Sequence, residues 1–129
     1  MGVDSSKWVW VRELAAAAAI ATLEVIRDEH LMQNAVDRGA QALTGLRAGL
    51  AGNKHVTDIR GIGLMIGVDF TDGDIAGEVE VEAFERGLLV LTCGDRGVRM
   101  SPPLVVNETE MATAIRIFCE AAAAVAARH

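Results

Sequence analysis

The chain has 129 residues, enough for one domain that buries roughly two-thirds of its unfolded surface. Its 51% hydrophobic and 23% charged content describes a folded chain, not a disordered one. A net charge of −6 without any basic cluster speaks against nucleic acid or an anionic membrane surface as the partner.

Cys93 and Cys119 are the only cysteines and form no CxxC or regular framework, which fits a reducing, cytoplasmic setting. No basic-then-apolar leader opens the sequence. The longest early uncharged apolar run, Leu14 to Leu23, is about half of what a membrane span needs.

From Glu13 to His30 the chain reads ELAAAAAIATLEVIRDEH, an uninterrupted run of helix formers. Alanines cover its whole circumference, which predicts a helix packed closely on several sides. Leu31, Ala35, Gly39, Ala42, Leu43, Leu46 and Leu50 then recur at three- and four-residue steps, predicting an amphipathic helix that stops at Gly52-Asn53. The period changes next. Leu64, Ile66, Val68 and Phe70 alternate with Met65, Gly67 and Asp69, the pattern of a strand with one buried face. Gly61 and Gly63 separate it from an earlier strand around Val56 to Arg60.

After the turn TDGD, Ile75 to Arg86 predicts a helix closed by Gly87. LLVLT and VRMS predict short strands joined by the turn CGDRG. Asn107 caps a last helix whose buried stripe is Met111, Ala114, Ile115, Phe118, Ala122 and Val125. The order predicts an α+β fold, a small antiparallel sheet with helices packed on one side.

Most motifs have bland explanations. Gly61-Ile62-Gly63 lacks the third glycine and the strand–turn–helix setting of a dinucleotide fingerprint, and reads as a bend between strands. His30, His55 and His129 are scattered, with no metal-ligand spacing. Cys93 has no histidine nearby to activate it, and Cys119 falls on the apolar face of the last helix. Glu78, Glu80, Glu82 and Glu85 read as a solvated helix face. Arg99 is different, because it sits between Val98 and Met100 in an apolar strand. It is a surface residue, a structural ion-pair partner, or a charge kept for an anionic ligand. A planar guanidinium suits a fixed carboxylate, since it donates two parallel hydrogen bonds. Arg60 and Arg96 are secondary candidates of the same kind.

The segments AAAAAIATLEVI, IRGIGLMIGVDF, ERGLLVLTCG and VRMSPPLVVNETEM come in an order and spacing that resembles one family. From about Leu14 to Ala126 the chain is similar to the C-terminal part of class III pyridoxal-phosphate aminotransferases of the 4-aminobutyrate group. The resemblance implies a small C-terminal domain of the fold-type I kind over residues 14–129, preceded by a divergent lead at 1–13. It also implies a role for Arg99 in gripping a substrate carboxylate.

Family chemistry needs a lysine that forms a Schiff base with the cofactor aldehyde. The only lysines, Lys7 and Lys54, do not stand in a matching context. Where the family carries Thr-x-Gly-Gly-Asn-Pro before its alanine-rich helix, this chain has WVWVRE, Trp8 to Glu13, with no hydroxyl to reach a cofactor phosphate. The resemblance therefore implies a stand-alone or excised domain that binds no cofactor by itself and has no transaminase activity alone. Pyridoxal phosphate would belong to the complete enzyme, with a large domain supplied elsewhere. The alternative is a non-catalytic oligomerisation module, in which the apolar first helix, Trp8 and Trp10 close a homodimer.

Overall fold

A computed structural model describes the backbone of residues 5–129 and the side chains from residue 9 onward. The side chains of Lys7 and Trp8 lie outside the described residues. The chain divides into two units, Met1–Met32 and Gln33–His129.

The first unit is mainly one helix, α1 (Ser5–Asp28), which starts ahead of Glu13 and runs through residue 13 without a break. Alanine is the strongest helix former, and at 24 residues α1 exceeds the length at which helices stand on propensity, about 12–15 residues. Within its own unit the close packing expected of it is not seen among the described residues. Of its described side chains only Ile26 is half-buried; Trp10, Leu14, Ile20 and Leu23 are exposed. Backbone propensity fixes this helix, and no core of its own covers it.

The second unit holds most of α2 (Leu31–Gly49), then β1 (Val56–Ile62), β2 (Met65–Phe70), α3 (Gly73–Glu85), β3 (Leu91–Cys93), β4 (Gly97–Met100) and α4 (Glu108–Arg128). The strands make one antiparallel sheet in the order β1-β2-β4-β3, so the fold is the α+β arrangement expected from the sequence. Ile66, Val68 and Phe70 of β2 and Val98 and Met100 of β4 point to one face. There they join Leu46, Val79 and Phe118 from the helices in a single core. Each such side chain contributes about 1.5–3 kcal/mol by leaving water. The opposite face, with Met65, Gly67, Asp69 and Arg99, carries no helix of this unit.

Three local departures from the expected pattern have clear causes. β1 continues through Gly61 to Ile62, because Gly61 pairs with Ile66; only Gly63, at φ +55, is needed for the two-residue turn. β3 starts at Leu91 and includes Cys93, which pairs with Gly97, while residues 88–90 are irregular. α3 begins at Gly73, capped by Asp72, whose carboxylate accepts from the Ile75 amide at 2.9 Å. The Asn107 cap is as expected, accepting from the Glu110 amide at 2.8 Å.

Small residues let the helices approach closely. Gly45 and Gly49 of α2 face Ile115 and Cys119 of α4, and burial pushes the Cys119 thiol pKa up. Asn34 donates to the carbonyls of Leu104 and Val106, each at 2.8 Å, tying α2 to the segment that follows β4. The acidic face of α3 is more than a solvated surface. Glu82 accepts from Arg128 and Arg86, and Glu78 pairs with Arg128 and His129. His129 also stands edge-on to His55, with ring centroids 6.0 Å apart, so two of the histidines read as scattered are neighbours. Among the described residues no group of side chains could hold a metal ion, and no helix is long and apolar enough to cross a membrane.

Two stability predictions follow from these contacts. A Cβ on Gly39 would collide with the backbone carbonyl of Gly63, which cannot rotate away. The gain of about 0.5–1 kcal/mol expected for Gly→Ala in a helix is then outweighed by overpacking of about 1–3 kcal/mol. Gly39→Ala should lower the urea midpoint, and an unchanged or raised midpoint would show the turn to be free to yield. The hydrogen bond from Arg128, with that from Arg86, holds the Glu82 carboxyl below its ordinary value of 4.5. Its folded form therefore resists protonation, so the stabilisation is complete above pH 4.5 and is lost as pH falls through the lower folded value. Glu82→Gln should flatten the acid limb of a stability–pH curve, and added salt should do the same to the unsubstituted chain.

Candidate functional site

Arg99 lies in the middle of β4, between residues that point into the core. Period-two alternation turns it to the open face, in one cross-strand row: Arg60 on β1, Gly67 on β2, Arg99 on β4, Leu91 on β3. A shallow depression of about 400 Å³ runs along this row. Arg60, Gly67, Asp69, Cys93 and Arg99 line it, and Ile62 and Met65 form its apolar end. Those two side chains are 86% and 71% exposed, so no described residue covers them.

The two arginines differ in their partners. Arg60 donates to Asp58 at 3.3 Å and reaches Asp69 at 3.0 Å. Its guanidinium lies over Gly67, where a Cβ would stand 3.6 Å from the guanidinium carbon. The Asp69 carboxylate, helped by Asp58, raises the Arg60 pKa further. Arg99 has no ion pair and no side-chain hydrogen bond among the described residues. Of the three roles open to it, the structural ion pair within this chain is the one without support. Arg96 is in the β3–β4 turn, where its carbonyl accepts from the Phe70 amide at 2.8 Å, and it does not line the depression.

Lys54 stands apart from this depression. The Lys54 ammonium donates to the His129 carbonyl at 3.0 Å and lines a different depression, with Cys119 and Ala126. It is not among the residues around Arg99. Cys93, read from the sequence only as a turn-flanking thiol, lines the Arg99 depression. Asp58, Gly67 and Asp69 also belong to the site and were not singled out in the sequence. Asp69 left a signal, since aspartate is depleted in strands and its position shares the parity of Gly67.

Comparison with known proteins agrees with this fold. The family described as Aminotransferase class-III matches residues 12–122. An acetylornithine aminotransferase of Methanothermobacter thermautotrophicus is 44% identical over 101 residues, covering 78% of this chain and 25% of that protein. Among solved structures, the ornithine aminotransferase of Toxoplasma gondii matches with a TM-score of 0.83 and 33% identity, over 89% of this chain and 28% of that one. The lysine aminotransferase of Mycobacterium tuberculosis gives 0.76 and 32%, over 81% and 24%. The chain belongs to the class III aminotransferase family. It spans about a quarter of the length of the curated relatives it matches.

An unpaired, exposed arginine contributes little to folding. Arg99→Ala should change the unfolding free energy by no more than about 0.5 kcal/mol, the range of surface substitutions without partners. A loss well beyond that in chemical denaturation would reinstate the structural role.

Proposed function

We propose that this chain acts as the C-terminal domain of a class III aminotransferase, in which Arg99 grips the carboxylate of the amino donor or keto acid. The observation that carries this reading is a guanidinium with no ion-pair partner among the described residues, in a depression on the exposed sheet face. Each charge-assisted bond to a carboxylate is worth about 1.5–3 kcal/mol, enough to orient a small acid. The lysine and the pyridoxal phosphate chemistry come from the rest of such an enzyme, on whatever chain it resides. That remainder would cover the apolar end of the depression and the exposed side chains of α1.

The relatives named above act by name on acetylornithine, ornithine and lysine. An amino donor of that kind, a diamino acid or its acetylated form, is therefore favoured here over the 4-aminobutyrate suggested by sequence resemblance. A homodimer closed through α1 is the second reading, favoured by the exposure of Trp10, Leu14, Ile20 and Leu23. Sedimentation equilibrium tests it, and a monomer at high concentration counts against it.

The direct test is a chimera in which residues 12–122 replace the matching segment of the Methanothermobacter enzyme. It should transaminate acetylornithine with 2-oxoglutarate. Arg99→Ala in that chimera should lower kcat/KM roughly tenfold to hundredfold, as expected for the loss of one or two charge-assisted bonds. An active chimera indifferent to Arg99 would remove the proposed role. The chain alone should give no stoichiometric borohydride-reducible adduct with pyridoxal phosphate on Lys7 or Lys54.

A further inference from the structure

Among the described residues, Asp69 is the only acidic side chain lining the Arg99 depression. In the β2–β4 register Asp69 faces Gly97 and Gly67 faces Arg99, so Asp69 is a diagonal neighbour of Arg99 on the same face. In the β1–β2 register Asp69 faces Asp58 and Gly67 faces Arg60, so Asp69 is equally a diagonal neighbour of Arg60. Diagonal positions on one face stand about 7–8 Å apart, within reach of a long side chain. One carboxylate thus lies between two arginines, with only the bare backbone of Gly67 separating them. Its Oδ2 is taken by Arg60 at 3.0 Å while its Oδ1 stands over Gly97, and Arg99 has no ion-pair partner among the described residues.

We infer that Arg60 is a positioning residue that keeps Arg99 available to an anionic ligand by engaging the Asp69 carboxylate itself. Several features make this choice of partner one-sided. Asp58 and Asp69 stand directly opposite each other, an unfavourable like-charge pair unless a cation bridges them. Arg60 contacts both, at 3.3 and 3.0 Å, and so relieves that repulsion. Arg99 stands two strands from Asp58, whereas Arg60 shares its strand, so Arg99 could satisfy only Asp69. Gly67 adds room, since a larger residue there would contend with the guanidinium lying over it. Without Arg60, Asp69 loses its partner, and Arg99 is the nearest remaining guanidinium in the depression. A carboxylate ligand would then have to displace Asp69 before binding.

The inference rests on Arg99 being an anion site, and the test separates the two. Phenylglyoxal attacks the guanidine group, and a carboxylate partner slows it by holding the guanidinium protonated. The full-length chain is labelled and each arginine is followed by peptide mass spectrometry. In the unsubstituted chain Arg99 should react faster than Arg60. In Arg60→Gln the rate at Arg99 should fall about threefold or more, the scale of an exposed ion pair. The double variant Arg60→Gln/Asp69→Asn should restore it. Asp69→Asn alone should speed Arg60 and leave Arg99 unchanged, which guards against misfolding of the first variant. An Arg99 rate insensitive to Arg60→Gln, or not restored by the double variant, overturns the inference. Protection of Arg99 by added 2-oxoglutarate is a separate readout. Its absence would count against the anion-site reading, while the effect of Arg60→Gln on Arg99 would still stand or fall by itself.

Discussion

The pairing of β2 with β4 carries both the core and the site. Val68 opposite Val98 and Ile66 opposite Met100 face the helices, and the intervening Gly67–Arg99 pair faces away. A slip of one residue in β2 would turn Asp69 inward and expose Ile66, Val68 and Phe70 together. Exposing each of those apolar side chains costs about 1.5–3 kcal/mol, and an unpaired buried carboxylate costs more. The hydrophobic alternation therefore locks the register, and the register fixes which charged groups can meet on the open face.

Much of this was legible in the sequence because alternation and capping are local signals. The strand parity from Leu64 to Phe70, the Asn107 cap and the order of elements need no knowledge of distant residues. The face on which Arg99 stands follows from Val98 and Met100 alone. What was not legible depends on pairing. Nothing local says that Asp69 stands between Arg60 and Arg99, since those residues come from three strands whose register is set by long-range contacts. The His55–His129 approach and the hold of Glu82 on Arg128 are hidden for the same reason.

The first helix shows the opposite limit. Its alanine-rich composition predicted a helix correctly, while the described side chains of that helix are mostly exposed. Composition reports what surface a helix can tolerate against it, not where that surface comes from. The chain spans about a quarter of each relative's length, so composition and exposure in this helix need not agree within the chain alone.

The two outer strands of the sheet are unequal. β3 has only 3 residues, and β1 carries an irregularity between Val56 and Asp58 followed by the charged Asp58 and Arg60. Short length, a bulge and charge are the devices by which exposed strand edges avoid pairing with other chains. The sheet is thus discouraged from growing sideways into aggregates, although its broad face carries exposed side chains. The Asp58–Arg60 contact, which organises that face, also makes the adjoining edge a poor template for another strand.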